Sequence, residues 1–311
     1  MEKIATREAY GKALAAIAKE NDKIVVLDAD LSKSTKTNIF AKEFPDRFFD
    51  MGIAEGNMAA TAAGLAIGGQ TVFFSSFAVF AAGRAFEIVR NSICYPKLNV
   101  KIAATHAGIT VGEDGGSHQS IEDIAIMRVL PNMEVFVPAD GVETAKIVSY
   151  LAEHEGPGYL RLGRSGQPVL FDDSYKFQPG KGVVMRDGDD VAIVACGLMV
   201  SIALEAAETL AREGIAAAVI NMSSIKPLDE NILAKYAKKC GAIVTAEEHS
   251  VIGGLGGAVA ESLIKSFPCP MAMVGVNDSF GESGKPQALL EKYGLTATAI
   301  AEKAKAVLAR K

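Results

Sequence analysis

The chain is poor in the features that mark several function classes. Its four cysteines, Cys94, Cys196, Cys240 and Cys269, lie far apart without metal-ligand spacing, so no cysteine-based metal centre is expected. Cys196 falls inside the apolar run Val191–Cys196, where a buried thiol is the default. This usage fits a reducing cytoplasm. Long hydrophobic runs are missing too: nothing approaches the roughly 18 apolar residues that a membrane-spanning helix needs. The first residues carry no apolar signal region. There is no basic block, and the net charge is -5, which argues against nucleic acid or an anionic membrane surface as partner.

What is present is a large apolar content, 49% against 22% charged, spread over 311 residues. That suffices for two packed domains. Tyr10, Ala13, Leu14, Ile17 and Ala18 recur at helical spacing, predicting an amphipathic helix over Arg7 to Glu20. Short apolar runs at 23–28, 71–74, 100–104 and 135–137 read as buried strands, with helical stretches at 82–92 and 142–151. The same alternation resumes with strands at 191–195, 217–221, 242–246 and 271–276. Its helices are expected at 201–213, 230–240, 256–266 and 297–309. Strands alternating with helices imply α/β architecture: a mainly parallel, doubly wound domain over 1–165, a linker over 166–185 and a smaller α/β domain over 186–311. Ligands in such sheets bind at the carboxyl edge, which the polar loops after Asp28 and Ala104 occupy.

Three stretches carry chemistry. Gly52-Ile-Ala-Glu55-Gly-Asn57 places one carboxylate at the mouth of a small-residue helix, where lost hydration should raise its pKa and leave a proton to share. A helix-start glutamate on the macrodipole is the plainer alternative. Thr105 to Gln119 holds two of the four histidines, His106 and His118, with Asp114 between them in a glycine-rich loop. Together they mark a site more strongly than one histidine would. Phe77 and Phe80, one helical turn apart, read as a shelf for a planar ring or as core. Gly253 to Gly257 lacks dinucleotide spacing and a strand running straight into it, so a tight turn before a helix is expected. Glu247-Glu248-His249 is either exposed or lines a domain interface.

Gly52-Ile-Ala-Glu55, Phe77-Ala-Val-Phe80, Gly112-Glu-Asp114-Gly-Gly-Ser-His118-Gln119, Pro131-Asn-Met133 and Leu162-Gly-Arg164, in this order and spacing, resemble the thiamine-diphosphate-dependent transketolase family. The match covers only its pyrimidine-binding and C-terminal domains, as in the C-terminal half of a split transketolase. The family's Gly-Asp-Gly magnesium signature is missing; Asp187-Gly-Asp-Asp190 is the nearest text. The resemblance therefore implies a separate N-terminal subunit supplying the diphosphate and Mg²⁺ site, with an α2β2 assembly and no metal ligands from this chain. It implies that Glu55 hydrogen-bonds the aminopyrimidine, that Phe77 and Phe80 stack on it, and that Asp30 lies near the cofactor. His106 and His118 would handle protons of the sugar, Asp114 would read a donor hydroxyl, and Arg7, Ser34 and Arg164 would hold its far, often phosphorylated, end. A third aromatic of the usual shelf is absent; Ala81-Ala82-Gly83 stands there.

The implied activity is transfer of a two-carbon ketol unit from a ketose to an aldose. A 2-oxo-acid dehydrogenase β subunit, a 1-deoxyxylulose-5-phosphate-synthase-like enzyme and a non-catalytic regulatory partner are the alternatives. The loop over 112–119 favours a sugar, and retention of Glu55, His106, Asp114 and His118 together favours a working enzyme.

Overall fold

The computed structural model describes residues 2–311. In chain order the first half contributes β1 (Lys3–Ala5), β2 (Ile24–Asp28), β3 (Phe48–Asp50), β4 (Thr71–Phe77), β5 (Val100–Thr105), β6 (Glu134–Phe136), β7 (Gly158–Arg161) and β8 (Gly166–Pro168). The second half contributes β9 (Val183–Arg186), β10 (Val191–Ala195), β11 (Ala217–Asn221), β12 (Ser224–Lys226), β13 (Ile243–Ser250) and β14 (Met271–Val276).

The first large sheet runs β12-β6-β7-β5-β4-β2-β3, parallel except where β12 lies antiparallel on β6. The second runs β14-β13-β10-β11-β9, parallel except at β9. Central strands β2, β4, β5, β10 and β11 are buried along their whole length. That is the condition that makes a parallel strand a continuous apolar run rather than an alternating one. Helices cover both faces. The amphipathic helix Thr6–Ile17 buries Tyr10 and Leu14 of the predicted stripe, one turn apart, and gives way to a turn over 18–20, short of the expected end at Glu20.

The structure departs from the sequence reading in several places. The stretch expected as a helix over 82–92 is a broken one: π-helical turns at Val79–Arg84 and Val89–Cys94 flank Phe86–Ile88. Between the domains the chain is not featureless, since β8 pairs with β1 and β9 with β11. Glu247, Glu248 and His249 are buried: Glu248 accepts the Thr110 amide at 2.7 Å and His249 Nε2 the Ala125 amide at 3.3 Å, both from the first half, as the interface reading expects, whereas Glu247 bonds within its own half. Arg161 donates to the Glu248 carbonyl at 2.9 Å and, through Nε, to Asp123 at 2.8 Å. β13 also runs to Ser250, so a strand does lead into the glycine turn at 253–254, whose helix is Leu255–Ser266. There Glu247 accepts the Leu255 and Gly256 amides at 2.6 and 2.7 Å, capping the helix with a carboxylate.

Candidate active site

The site collects at the carboxyl ends of β2, β4 and β5. β4 ends on Phe77, and the π-helical turn that follows brings Phe80 beside it: the rings are stacked, 6.0 Å apart at 12°. The expected pair is thus formed, but by a strand end and a widened turn rather than by one helix face. Wide π turns often mark functional positions because they shift side chains off the α-helical register. Phe77 is buried, whereas Phe80 is partly open. Ala81 and Ala82 are buried and Gly83 is exposed, so no third ring completes the shelf.

Glu55 is the first residue of the helix Glu55–Ile67 and is 3% exposed. It is not the lone carboxylate that its sequence context implied. Arg84 donates to both its oxygens, at 3.2 and 3.3 Å, and lays its guanidinium over the Phe80 ring, 4.2 Å from the centroid. Arg84 is the partner that sequence reasoning passed over. Its position four after Phe80 was the available signal.

β5 delivers His106. Its φ of 56° is a left-handed conformation that non-glycine residues seldom adopt, and such outliers cluster at functional sites. The imidazole stacks on Phe77 with centroids 3.9 Å apart. Nδ1 meets Thr105 Oγ1 at 2.9 Å, and Nε2 meets Arg7 Nη1 at 3.2 Å. Burial, then the charges of Arg7, Arg164, His118 and Lys36, push its pKa down to about 3. His118, half-buried, stands edge-on to Phe77 and Phe80 at 6.2 and 5.4 Å, its Nδ1 3.0 Å from Ser117 Oγ. Two phenyl and two imidazole rings therefore form one aromatic cluster.

The polar rim is cationic. Arg7 donates to the Ser34 carbonyl at 2.8 Å, so Ser34 enters the site through its backbone. Arg164 donates to the Val111 carbonyl and lies 3.5 Å from the Asp114 carboxylate. Burial and then Arg164 lower the pKa of Arg7, which places the two guanidinium groups within each other's field. Asp30 stands slightly apart. Its φ is 61°, and its amide hydrogen bond goes to the Asp50 carboxylate, not to the ring cluster. Below it Asp28 is buried and pushed up to about 6 by desolvation, although Thr35, Thr37 and the Leu31 amide all donate to it.

Among the described residues, no three histidine, cysteine or carboxylate side chains converge to hold a metal. In Asp187-Gly188-Asp189 both carboxylates bind Lys239, at 2.7 and 2.8 Å, which spends their charge on an ion pair. No described helix is long and apolar enough to cross a membrane.

Comparison with known proteins identifies the family. Residues 2–168 match the model of the transketolase pyrimidine-binding domain, and residues 180–300 match that of the transketolase C-terminal domain. A putative transketolase C-terminal section of Methanocaldococcus jannaschii is 50% identical over 96% of this chain and 94% of its own length. The 6-deoxy-6-sulfo-D-fructose transketolase subunit of Clostridium sp. is 44% identical over 98% of this chain and 95% of its own. A solved split-gene transketolase, described as an inactive β4 tetramer, superposes with a TM-score of 0.93 at 63% identity, covering 98% of this chain and 99% of that one. The chain belongs to the transketolase family and corresponds to the family's C-terminal section, pyrimidine-binding domain and C-terminal domain together.

Proposed function

We propose that this chain is the subunit of a split, thiamine-diphosphate-dependent transketolase that presents the pyrimidine-binding half of the active site and the sugar-binding loop. The observation that carries the reading is one cluster: the Phe77–Phe80 pair joined through Arg84 to buried Glu55 on one side and edged by His106 and His118 on the other.

The residues present suit a flat, amino-bearing heteroaromatic ring. Glu55 is a buried acceptor, and Phe80 offers a partly open ring beside it. A planar cation already satisfies both partners at once, which is the donor-plus-stacking geometry such a ring would need. When bound, the cofactor supplies a carbanion-type centre that accepts the ketol fragment. Glu55 would hold a proton at the ring nitrogen. Phe77 and Phe80 would keep the ring in plane and water away from it. His106, neutral, and His118 would bond the sugar oxygens, with Asp114 accepting from a donor hydroxyl. Arg7, Arg164 and the nearby charge of Lys36 form a cationic rim suited to a phosphorylated end. The sulfonated sugar in the Clostridium relative's name is anionic at that end too, which supports this orientation. Asp30 would reach the cofactor from the subunit seam.

With no cluster of metal ligands among the described residues, the diphosphate and Mg²⁺ would be held by an N-terminal partner subunit in an α2β2 enzyme. The relative described as an inactive β4 tetramer supports the need for that partner. Calorimetry with thiamine diphosphate and Mg²⁺ should detect little binding to this chain alone. Mixing with the partner subunit should create both binding and ketol transfer. Micromolar binding by the chain alone would overturn the division of labour, and a cofactor-loaded mixture without ketol transfer would overturn the activity.

A further inference from the structure

The loop that carries His106, Asp114 and His118 is held from the other domain. Three of its glycines have positive φ, Gly108 at 82°, Gly112 at 86° and Gly115 at 81°, and each faces an atom of the C-terminal half. A Cβ on Gly108 would come within 2.3 Å of the Glu248 carboxylate. One on Gly112 would press on Pro286 and the Gly284 carbonyl at 3.2 and 3.3 Å, and one on Gly115 would touch Ser283 at 3.6 Å. Ser283 Oγ donates to the Glu113 carbonyl, and Gln119 Nε2 donates to the Glu282 carbonyl at 2.9 Å.

Glu248 is the centre of this contact. It is 5% exposed, near the carboxyl end of β13, and its carboxylate accepts the Thr110 amide at 2.7 Å, across 138 residues of chain. Arg161 fixes the strand beneath it by donating to its carbonyl. A buried carboxylate is costly in a seam that apolar residues would fill more cheaply. Its hydrogen bond to a loop amide, in space that only a glycine leaves open, accounts for its presence. We propose that Glu248 is a positioning residue for sugar binding: the C-terminal domain reaches through its carboxylate to set the backbone between His106 and Asp114. The inference rests on the reading of this loop as the sugar-facing element.

Hydrogen exchange on the full chain tests the positioning directly. In Glu248→Ala the Thr110 amide and its neighbours should exchange at least roughly tenfold faster. In the enzyme assembled with its partner the donor KM should rise by about tenfold, while thiamine diphosphate affinity stays within about twofold. Glu248→Gln keeps an acceptor in place and should return exchange and KM to near wild type. Gly108→Ala supplies an independent arm: its penalty in thermal stability should be smaller in the Glu248→Ala background, where the clash is gone, than in the wild type. Unchanged Thr110 exchange in Glu248→Ala, or equal Gly108→Ala penalties in both backgrounds, would overturn the proposal. Faster exchange with an unchanged donor KM would instead overturn the sugar-facing reading of the loop and leave its anchoring by Glu248 standing.

Discussion

His106 should stay neutral far into the acid range, and the structure gives the size of the effect. The ring is 3% exposed and lies against Phe77. A guanidinium nitrogen can only donate, so Nε2, 3.2 Å from Arg7, must accept, and the proton sits on Nδ1 facing Thr105. A second proton at Nε2 would confront Arg7 at hydrogen-bond distance, in a site already stripped of water. The gap between about 3 in the fold and about 6.5 in the unfolded chain corresponds to about 5 kcal/mol. Between those values the unfolded chain holds the proton and the folded chain does not. Stability therefore rises with pH across the window. It is greatest above 6.5 and is lost as pH falls towards 3. Two assays check this. Imidazole ¹⁵N shifts of the folded chain should show the Nδ1–H tautomer with no titration between pH 8 and 5. Urea midpoints should fall between pH 6.5 and 4.5 more in the wild type than in His106→Gln. Arg7→Met should move the His106 pKa upward but leave it under 6.5, because burial, the larger cause, remains. Half-protonation of His106 near 6.5 in the folded wild type would refute the reasoning.

Three further substitutions probe the rest of the site. Glu55→Gln should preserve assembly yet slow hydrogen exchange at the cofactor's reactive carbon by a factor on the order of 10² or more; exchange within a few-fold of wild type would return Glu55 to the role of a helix-start residue. Arg164→Ala should weaken phosphorylated acceptors about tenfold more than free sugars, mainly in KM. Equal losses would assign Arg164 to the Val111 carbonyl and Asp114 that it contacts here, and reject a phosphate role. Arg161→Met should strand Asp123 in the domain seam, with only Tyr159 donating to it at 2.8 Å, and cost about 3–5 kcal/mol in denaturant unfolding. A loss below about 1 kcal/mol would show that the pair contributes little to stability.

Much of the fold was legible because a parallel strand buried on both faces is mostly apolar along its length. All eight apolar runs singled out in the sequence are strands, from Ile24–Asp28 to Met271–Val276. The strands that escaped notice are short or polar: β3 and β12 have three residues each, and β7, Gly-Tyr-Leu-Arg, hides its charge by pairing Arg161 with Asp123. A buried charge looks exposed in sequence until its partner, far along the chain, is known. The same blindness hid Glu248 and the pairing of Glu55 with Arg84. The aromatic and histidine residues were recognisable by type and clustering, and they do converge. Their arrangement was not recognisable, since π-helical turns and a positive φ at His106 leave no periodic trace.

The antiparallel strand β12 belongs by sequence to the second half and by pairing to the first sheet, where it covers β6. During synthesis the edge of β6 therefore stays bare until Ser224–Lys226 has left the ribosome, well after the second domain has begun to emerge. An uncovered strand edge invites pairing with other chains. A gene cut or fusion joint placed between residues 168 and 180, where the two family matches part, would separate β6 from its cover. The two halves are interlocked as a unit of inheritance, and a clean exchange of the C-terminal domain between relatives would have to carry β12 with the sheet it completes.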